Sequence, residues 1–397
     1  MNRCARVFLV LSALLMSVLA PPTRASDRLA KNVILFLGDA GGIPTIHGAS
    51  VYAYGRPHML FIQHMPRVAL VETSTASQWV TDSAAGMTAI VTGEKTHNGV
   101  ISQSDSAVRG KKDGEPLKTI LEYAEERGLS TGVVSNSSLT DATPAACYAH
   151  VNDRGMEGQI LLQFLNPRFG DGVDVALGLD REEIVKAAGQ LGLDLEAALK
   201  ERGYGYYESL QSVPADTNRV VALFDESEVD LDEATHLAVD ILSRNPKGFF
   251  LMVESDLHTE KVIQGLERAA AFDRLIRSVA AQVDLKKTLI LFTADHSYDF
   301  CIQGGKKNQP LILDAEKSLA SSNVESLRFK NIRRDDHHTG EDVLLVGQGP
   351  GAERIKGMIS NTDTFHIMME AYGWEGGPAA HGAKLRRQNA RAVSSQP

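Results

Sequence analysis

Short apolar runs that end in acidic or histidine residues are the feature that most constrains the fold of this chain. In an open α/β sheet, ligands bind beyond the carboxyl ends of the strands, so residues that follow different strands can converge. Carboxylates and imidazoles gathered there indicate a metal cluster, in which oxygen donors favour Mg²⁺ and mixed His/Asp sets favour Zn²⁺. The runs are 33–37 before Asp39, 249–253 before Glu254, and 289–293 before Asp295 and His296.

Strand-like and helix-like segments alternate along the chain. Alternation of this kind predicts the α/β class, with a doubly wound, mostly parallel sheet flanked by helices. The helix-like segments are 117–127 and 262–283, and the segment from about 155 to 230 is interpreted as a small inserted cap beside the sheet. The expected strands are 32–37, 67–73, 131–135, 249–253, 288–293 and 343–347.

A candidate nucleophile lies in the segment Val80–Gly93, where Ser83 follows Asp82 and leads into small, helix-compatible residues. This pattern places a hydroxyl at a helix N-terminus, where free amide groups and the helix dipole favour an anion. A metal ion nearby could hold the hydroxyl as an alkoxide. Thr-Asp-Ser is also an ordinary capping sequence, so the segment alone leaves both interpretations open.

Taken in order, the motifs resemble those of the alkaline phosphatase family from about Lys31 to His366. Each motif is short, and the resemblance rests on finding them all in the family's order. They are Gly38-Asp39, Asp82-Ser83-Ala84-Ala85, Asp141-Ala142-Thr143, Arg154, Met252-Val253-Glu254, Thr293-Ala294-Asp295-His296 and His338-Thr339-Gly340.

The resemblance implies two Zn²⁺ ions and one Mg²⁺ ion around a serine nucleophile, Ser83. A phosphoserine would form on Ser83 and then be hydrolysed, while Arg154 would grip two phosphate oxygens. The implied ligands are Asp39, Asp295 and His296 with Ser83 at one zinc ion, Asp256, His258 and His338 at the other, and Asp39, Thr143 and Glu254 at the Mg²⁺, with Asp141 nearby or bound through water.

Three of these assignments have simpler alternatives. Asp141 and Thr143 could serve only to start a helix at Pro144, because Asp-x-Thr-Pro is a good N-terminal sequence. Arg154 could pair on the surface with Asp153 or Glu157.

The segment Glu254-Ser-Asp256-Leu-His258 departs from the family pattern, which separates its aspartate and histidine by four residues on a helical turn in a longer loop. In an extended segment all three polar side chains point to one side. The ligand set could therefore survive here with altered geometry, or it could be lost.

The first 25 residues have the pattern of a signal peptide: a basic start, an apolar stretch from Val7 to Ala20, and a cleavage site after Ala25. We therefore expect a periplasmic or secreted domain at 26–375 with no membrane span, followed by a flexible tail at 376–397. Cleavage would leave 38 basic against 50 acidic residues, a net charge of −12 that argues against nucleic acid as a partner. Cys147 and Cys301 could form a disulfide or remain buried free thiols.

The sequence thus predicts a metal-dependent phosphomonoesterase that acts on small-molecule phosphate monoesters, and a homodimer is possible. Two alternatives remain open at this stage. One is a phosphodiesterase of the same superfamily, which a serine at position 83 and the Arg154 match disfavour. The other is a catalytically silent phosphate- or metal-binding protein, which the compressed segment at 254–258 makes possible.

Overall fold

The computed structural model describes residues 29–225, 229–321 and 328–374. The expected signal peptide and the expected C-terminal tail lie outside these ranges. Among the helices in the described ranges, none is both long enough and apolar enough to cross a membrane.

A large central sheet organises the described part of the chain. Its strand order is β12-β2-β11-β8-β1-β7-β3-β4-β6-β5, and a separate hairpin pairs β9 with β10. All six strands expected from the sequence are present. The strands are β1 Asn32–Asp39, β2 Arg67–Glu72, β3 Ser130–Ser138, β4 Val175–Leu179, β5 Gly205–Tyr207, β6 Val220–Phe224, β7 Phe249–Asp256, β8 Thr288–Thr293, β9 Ser297–Ile302, β10 Ile332–Thr339, β11 Val343–Gln348 and β12 Lys356–Ser360.

The sheet is parallel except at β11, which runs antiparallel to both of its neighbours, β2 and β8. The strands β8, β1, β7 and β3 form its parallel centre. Because these four strands point the same way, their carboxyl ends meet at one edge of the sheet. This confirms the mostly parallel, doubly wound architecture expected from the sequence.

Helices cover both faces of the sheet. Along β1, Val33, Leu35 and Leu37 pack into one hydrophobic core and Ile34 and Phe36 into another on the opposite face. A strand that is buried on both faces has a continuous apolar sequence, as β1 does. The helices are α1 Ile43–Tyr54, α2 Ser83–Thr92, α3 Ile120–Glu126, α4 Ala142–Ala145, α5 Glu157–Leu165, α6 Arg181–Gln190, α7 Leu195–Glu201, α8 Leu231–Leu242, α9 Val262–Gln282, α10 Asp314–Ser321 and α11 Thr362–Ala371.

The segment from about 155 to 230 differs from the inserted cap that the sequence suggested. It supplies β4, β5 and β6, which extend the central sheet from β3 outward. The apolar runs of β4 and β6 are buried throughout, so they belong to the core. The prediction of a cap was wrong, because the apolar runs at 175–179 and 220–224 form buried strands of the sheet itself.

A hairpin formed by β9 and β10 lies outside the central sheet. It begins directly after His296 and contains His338 near its end.

Both described cysteines are free thiols. Cys147 is fully buried, and that burial raises the pKa of its thiol well above the ordinary value. Of the two possibilities left open by the sequence, the structure shows the unpaired one.

Candidate active site and metal centre

The register of the central strands brings the acidic groups together. Asp39 at the end of β1 pairs with Asp256 on β7, and Leu37 is level with Glu254 on one side and with Thr293 of β8 on the other. Asp295 follows two residues after the end of β8. Residues far apart in sequence therefore converge at one edge, as the pattern of strand ends predicted.

Ser83 is the first residue of α2 and is only 4 % exposed. Its hydroxyl donates a hydrogen bond to Asp39 Oδ2 at 3.1 Å. Asp82 caps the helix by accepting from the Ala85 amide at 3.0 Å. A Cβ on Gly86 would lie 3.0 Å from the side chain and carbonyl of Asp295, so glycine allows α2 to approach the end of β8. Asp82 is thus the capping residue, and Ser83 faces the acidic cluster.

Three histidine rings meet beside this cluster. His296 and His338 stack with ring centroids 3.7 Å apart, and His258 lies 5.7 Å from His296 and 5.6 Å from His338. His296 is fully buried, whereas His258 and His338 are partly exposed. The open side of the site therefore lies toward His258 and His338.

Each of these histidines uses Nδ1 to contact an oxygen acceptor. His296 Nδ1 lies 3.1 Å from the Ser297 carbonyl, His338 Nδ1 lies 3.1 Å from the Thr81 carbonyl, and His258 Nδ1 lies 2.8 Å from Asp256 Oδ1. Because carbonyls and carboxylates only accept, these contacts assign the proton to Nδ1. In the neutral form of each ring, the lone pair then resides on Nε2, where it can bind a metal ion.

Two groups of side chains could each hold a metal ion: Asp39, Asp295 and His296, and the three histidines at 258, 296 and 338, with ligand atoms within 4.8 Å in each group. Asp39 Oδ1, Asp295 Oδ2 and His296 Nε2 are buried and accept or donate no hydrogen bond among the described residues. Buried polar atoms without partners are costly, so an unfilled donor set of this kind fits a divalent cation.

The electrostatic repulsion within this cluster is also compatible with a bound cation. Burial, and then the charge of Asp39, raises the pKa of both Glu254 and Asp295 well above the ordinary values. Burial lowers the pKa of His296 and of His338. Burial would also lower the pKa of His258, but Asp256 and Asp39 outweigh it and raise that pKa to about 9. A bound cation would offset the repulsion among these carboxylates.

Thr143 and Glu254, which are expected at a third ion, are both buried. Thr143, on α4, is 1 % exposed, and its hydroxyl has no partner among the described residues. Glu254 Oε2 accepts a hydrogen bond from Ser135 at 2.5 Å. Asp141 is the N-cap of α4, as its simpler interpretation required, and it also contacts Arg154.

Arg154 faces the site rather than Asp153 or Glu157. Its guanidinium Nη2 lies 2.7 Å from Asp141 Oδ1, and its Nη1 lies 3.6 Å from Asp82 Oδ2. Asp153 is instead held by Arg109 at 3.1 Å. Arg154 is therefore placed beside the residue that precedes Ser83, where a phosphate on Ser83 could reach it.

Asp256 belongs to neither of the two candidate metal groups, although it contacts His258. Its Oδ1 accepts from the ring and the amide of His258, and its Oδ2 accepts from Arg268 at 2.7 Å. Both oxygens are thus occupied by protein donors. The remaining expected zinc ligands, His258 and His338, are brought together.

Sequence reasoning missed several residues that support the site. Ser135 holds Glu254, Arg268 holds Asp256, and Tyr298 packs edge-on against His258 with ring centroids 4.9 Å apart. Tyr298 also donates a hydrogen bond to Asp336 across the β9–β10 hairpin. None of these residues lies within a ligand motif, and each reaches the site from another element.

The fold and the site together define the class: an α/β protein that binds divalent metal ions beyond the carboxyl ends of its strands. A family model described as alkaline phosphatase matches residues 30–168 and 214–333. The chain belongs to the alkaline phosphatase family, and its activity is accordingly the hydrolysis of phosphate monoesters.

Named relatives cover most of the chain. An alkaline phosphatase of Escherichia fergusonii is 29 % identical and matches 88 % of this chain and 87 % of its own length. The tissue-nonspecific isozyme of Homo sapiens is 26 % identical and matches 88 % of this chain and 84 % of its own. The chain therefore spans the greater part of both relatives.

Solved structures show the same fold. A mutant of the TAB5 alkaline phosphatase, described with Mg bound in its M3 site, is 25 % identical with a TM-score of 0.71, covering 88 % of this chain and 99 % of that one. The alkaline phosphatase of Thermus thermophilus, at 21 % identity and a TM-score of 0.70, covers 88 % of this chain and 93 % of its own, and supports the fold alone.

Proposed function

We propose that this chain hydrolyses phosphate monoesters in two steps, through a phosphoserine formed on Ser83. The observation that carries the proposal is the contact of the buried Ser83 hydroxyl with Asp39, whose other oxygen lies 3.3 Å from His296 Nε2 and has no hydrogen-bond partner. A hydroxyl bonded to a metal-ligand carboxylate at a helix start is well placed to become a nucleophile.

In the first step, Ser83 Oγ forms a bond to phosphorus as the ester P–O bond breaks. The Ser83 proton leaves, and the departing alcohol takes up a proton, so charge is conserved. In the second step, a water oxygen attacks the same phosphorus and the Ser83–phosphorus bond breaks. The products are inorganic phosphate and the original serine.

Arg154 would hold the phosphoryl group during both steps. Its planar guanidinium can donate two parallel hydrogen bonds to non-bridging oxygens, which is the geometry that phosphate favours. Asp141 and Asp82 neutralise and orient this guanidinium before substrate binds. Exchange of the Asp141 contact for phosphate oxygens would leave Asp141 next to the bound group.

The donor sets fit two zinc ions and one Mg²⁺. Asp39, Asp295 and His296 would hold the first zinc beside Ser83, and His258 and His338 would contribute to the second. Thr143, Glu254 and Asp39 would hold the Mg²⁺. When bound, these cations supply positive charge to the attacking and leaving oxygens.

We propose that the protein acts outside the cytoplasm. The sequence pattern at 1–25 supports export to the periplasm or secretion, where small phosphate monoesters are the substrates and nucleic acid is not a general partner. Whether two copies associate as a homodimer stays a prediction.

The direct test of the mechanism is to trap the phosphoserine. The purified protein is mixed with an aryl phosphate monoester, quenched in acid and analysed by peptide mass spectrometry. Phosphate should be found on the peptide with Ser83 in the wild type and in the control Ser106→Ala, whose serine lies outside the site, but not in Ser83→Ala. Phosphate on another residue would overturn the assignment, and faster turnover of an aryl diester would favour the phosphodiesterase alternative.

A further inference from the structure

Asp256 is held from several sides at the end of β7. Its Oδ1 accepts from His258 Nδ1 at 2.8 Å and from the His258 amide at 3.0 Å. Its Oδ2 accepts from Arg268 of α9 at 2.7 Å, and its own amide donates to Asn136 Oδ1 at 2.8 Å. The side chain is 28 % exposed, so these contacts lie largely out of bulk water.

This arrangement contrasts with the carboxylates that lack partners. Asp39 Oδ1 and Asp295 Oδ2 are buried and have no donor among the described residues, as expected for oxygen atoms that bind a metal ion. Metal binding by Asp256 would compete with its hydrogen bonds to Arg268 and His258. Charge-assisted hydrogen bonds are stronger than neutral ones, so these contacts oppose coordination of a metal ion by Asp256.

The hydrogen bond between Asp256 and His258 also determines the tautomer of the His258 ring. Its Nδ1 is closer to Asp256 Oδ1, at 2.8 Å, than to Asp39 Oδ1, at 3.7 Å. A carboxylate that accepts from Nδ1 fixes the tautomer, orients the ring and makes Nε2 more basic toward a metal ion. Tyr298 closes one side of the same ring.

We propose that Asp256 is a positioning residue that orients His258 for metal binding, held in this role by Arg268, and that it is not itself a ligand. This inference rests on the proposed metal centre. It removes Asp256 from the ligand set that the sequence led us to expect. The site at His258 and His338 would then have fewer protein ligands than the site at Asp39, Asp295 and His296, so it should release its ion first during chelation.

The test uses two double variants that differ only in the acceptor offered to His258. Asp256→Asn with Arg268→Met removes both charges but keeps an amide oxygen that can accept from Nδ1. Asp256→Ala with Arg268→Met removes the charges and the acceptor. Removing Arg268 in both avoids leaving an unpaired guanidinium beside the site.

Bound zinc per protein is measured by mass spectrometry during titration with a chelator, without reference to activity. We expect the Asn variant to keep the wild-type number of ions with an affinity at the weaker site within about tenfold of wild type. The Ala variant should bind that ion about 10–100-fold more weakly, as for loss of an outer partner of a metal-bound histidine. His338→Ala, which removes a proposed direct ligand, should lose about one equivalent outright.

Loss of one equivalent in both double variants, matching His338→Ala, would show that Asp256 is a ligand and overturn the inference. Unchanged zinc affinity in the Ala variant would also overturn it, because His258 would then need no acceptor. The tighter ion serves as the internal control for folding in every variant. A wild type that binds no zinc would instead refute the proposed function, so the two failures are distinguishable.

Discussion

A buried carboxyl group far from the metal centre provides a quantitative test of the electrostatics of this fold. Glu125, on α3, is 5 % exposed, and it accepts hydrogen bonds from the Thr131 hydroxyl and, at 3.3 Å, from the Gly172 amide. Burial is the main cause that raises its pKa to about 8, with the charges of Asp174 and Asp171 adding to the shift. Near neutral pH the group is therefore mostly protonated.

The shift has a definite sign and size. In the unfolded chain Glu125 loses its proton near its ordinary pKa of 4.5, whereas the native protein keeps it up to about 8. Between these values the native state binds the extra proton, so stability falls as pH rises through this window and levels off above it. The full shift corresponds to about 5 kcal/mol, which is an upper bound because the native structure can relax around the charge.

The change that tests this is Glu125→Gln, which has the shape of the protonated acid and cannot ionise. Urea unfolding of the wild type and the variant is compared at about pH 5, 7 and 9, so that all other titrating groups cancel in the difference. We expect the free energy of unfolding of the variant, relative to that of the wild type, to increase by about 2–5 kcal/mol as the pH rises over this range. Glu196→Gln, an exposed carboxylate on α7, is the matched control. If the stability difference between wild type and Glu125→Gln were constant with pH, the raised pKa would be refuted.

Three further predictions concern the active site. Ser83→Ala should keep its bound metal and lose turnover by about a hundredfold or more, because only the nucleophile is removed; steady-state rates with metal counted on the same sample check this. Arg154→Ala should weaken inhibition by inorganic phosphate about 10–100-fold, and an unchanged inhibition constant would place Arg154 outside the phosphate site. Chelation with EDTA should abolish activity and lower the melting temperature, since the clustered carboxylates repel one another without cations, and Zn²⁺ with Mg²⁺ should restore both; activity that survives verified metal loss would contradict the mechanism.

The centre of the fold could be predicted from the sequence because its signals are local. The six strand-like runs are all strands of the sheet, and the runs at its parallel centre, such as β1, β7 and β8, are continuous because those strands are buried on both faces. The helix-like segment at 262–283 is likewise confirmed as α9, and its buried Leu266, Phe272 and Ile276 pack into the core. Ligand-type residues directly after such strands could be expected to meet, since parallel strands end at one edge.

The supporting contacts could not be predicted, because they depend on distances between elements that are remote in sequence. Arg268 lies on α9, where the sequence shows only a polar residue on an amphipathic helix. That it reaches Asp256 depends on how α9 packs against β7. β4 and β6 were not predicted because each is an apolar run of only five residues, and a run that short does not distinguish a sheet strand from other buried segments.

The compressed segment at 254–258 shows how spacing alone can change the chemistry of a residue. β7 runs extended through Asp256, and Leu257 points to the opposite side, where a Cβ on Gly38 would lie only 2.6 Å from it. The strand ends at Asp256, and just beyond it the Asp256 carboxylate accepts from both the amide and the ring of His258, two residues later. On a helical turn, residues four apart can instead both aim at a shared ion. The shorter spacing therefore favours hydrogen bonding between the two side chains over joint coordination, and Arg268 supplies the charge that makes this arrangement stable.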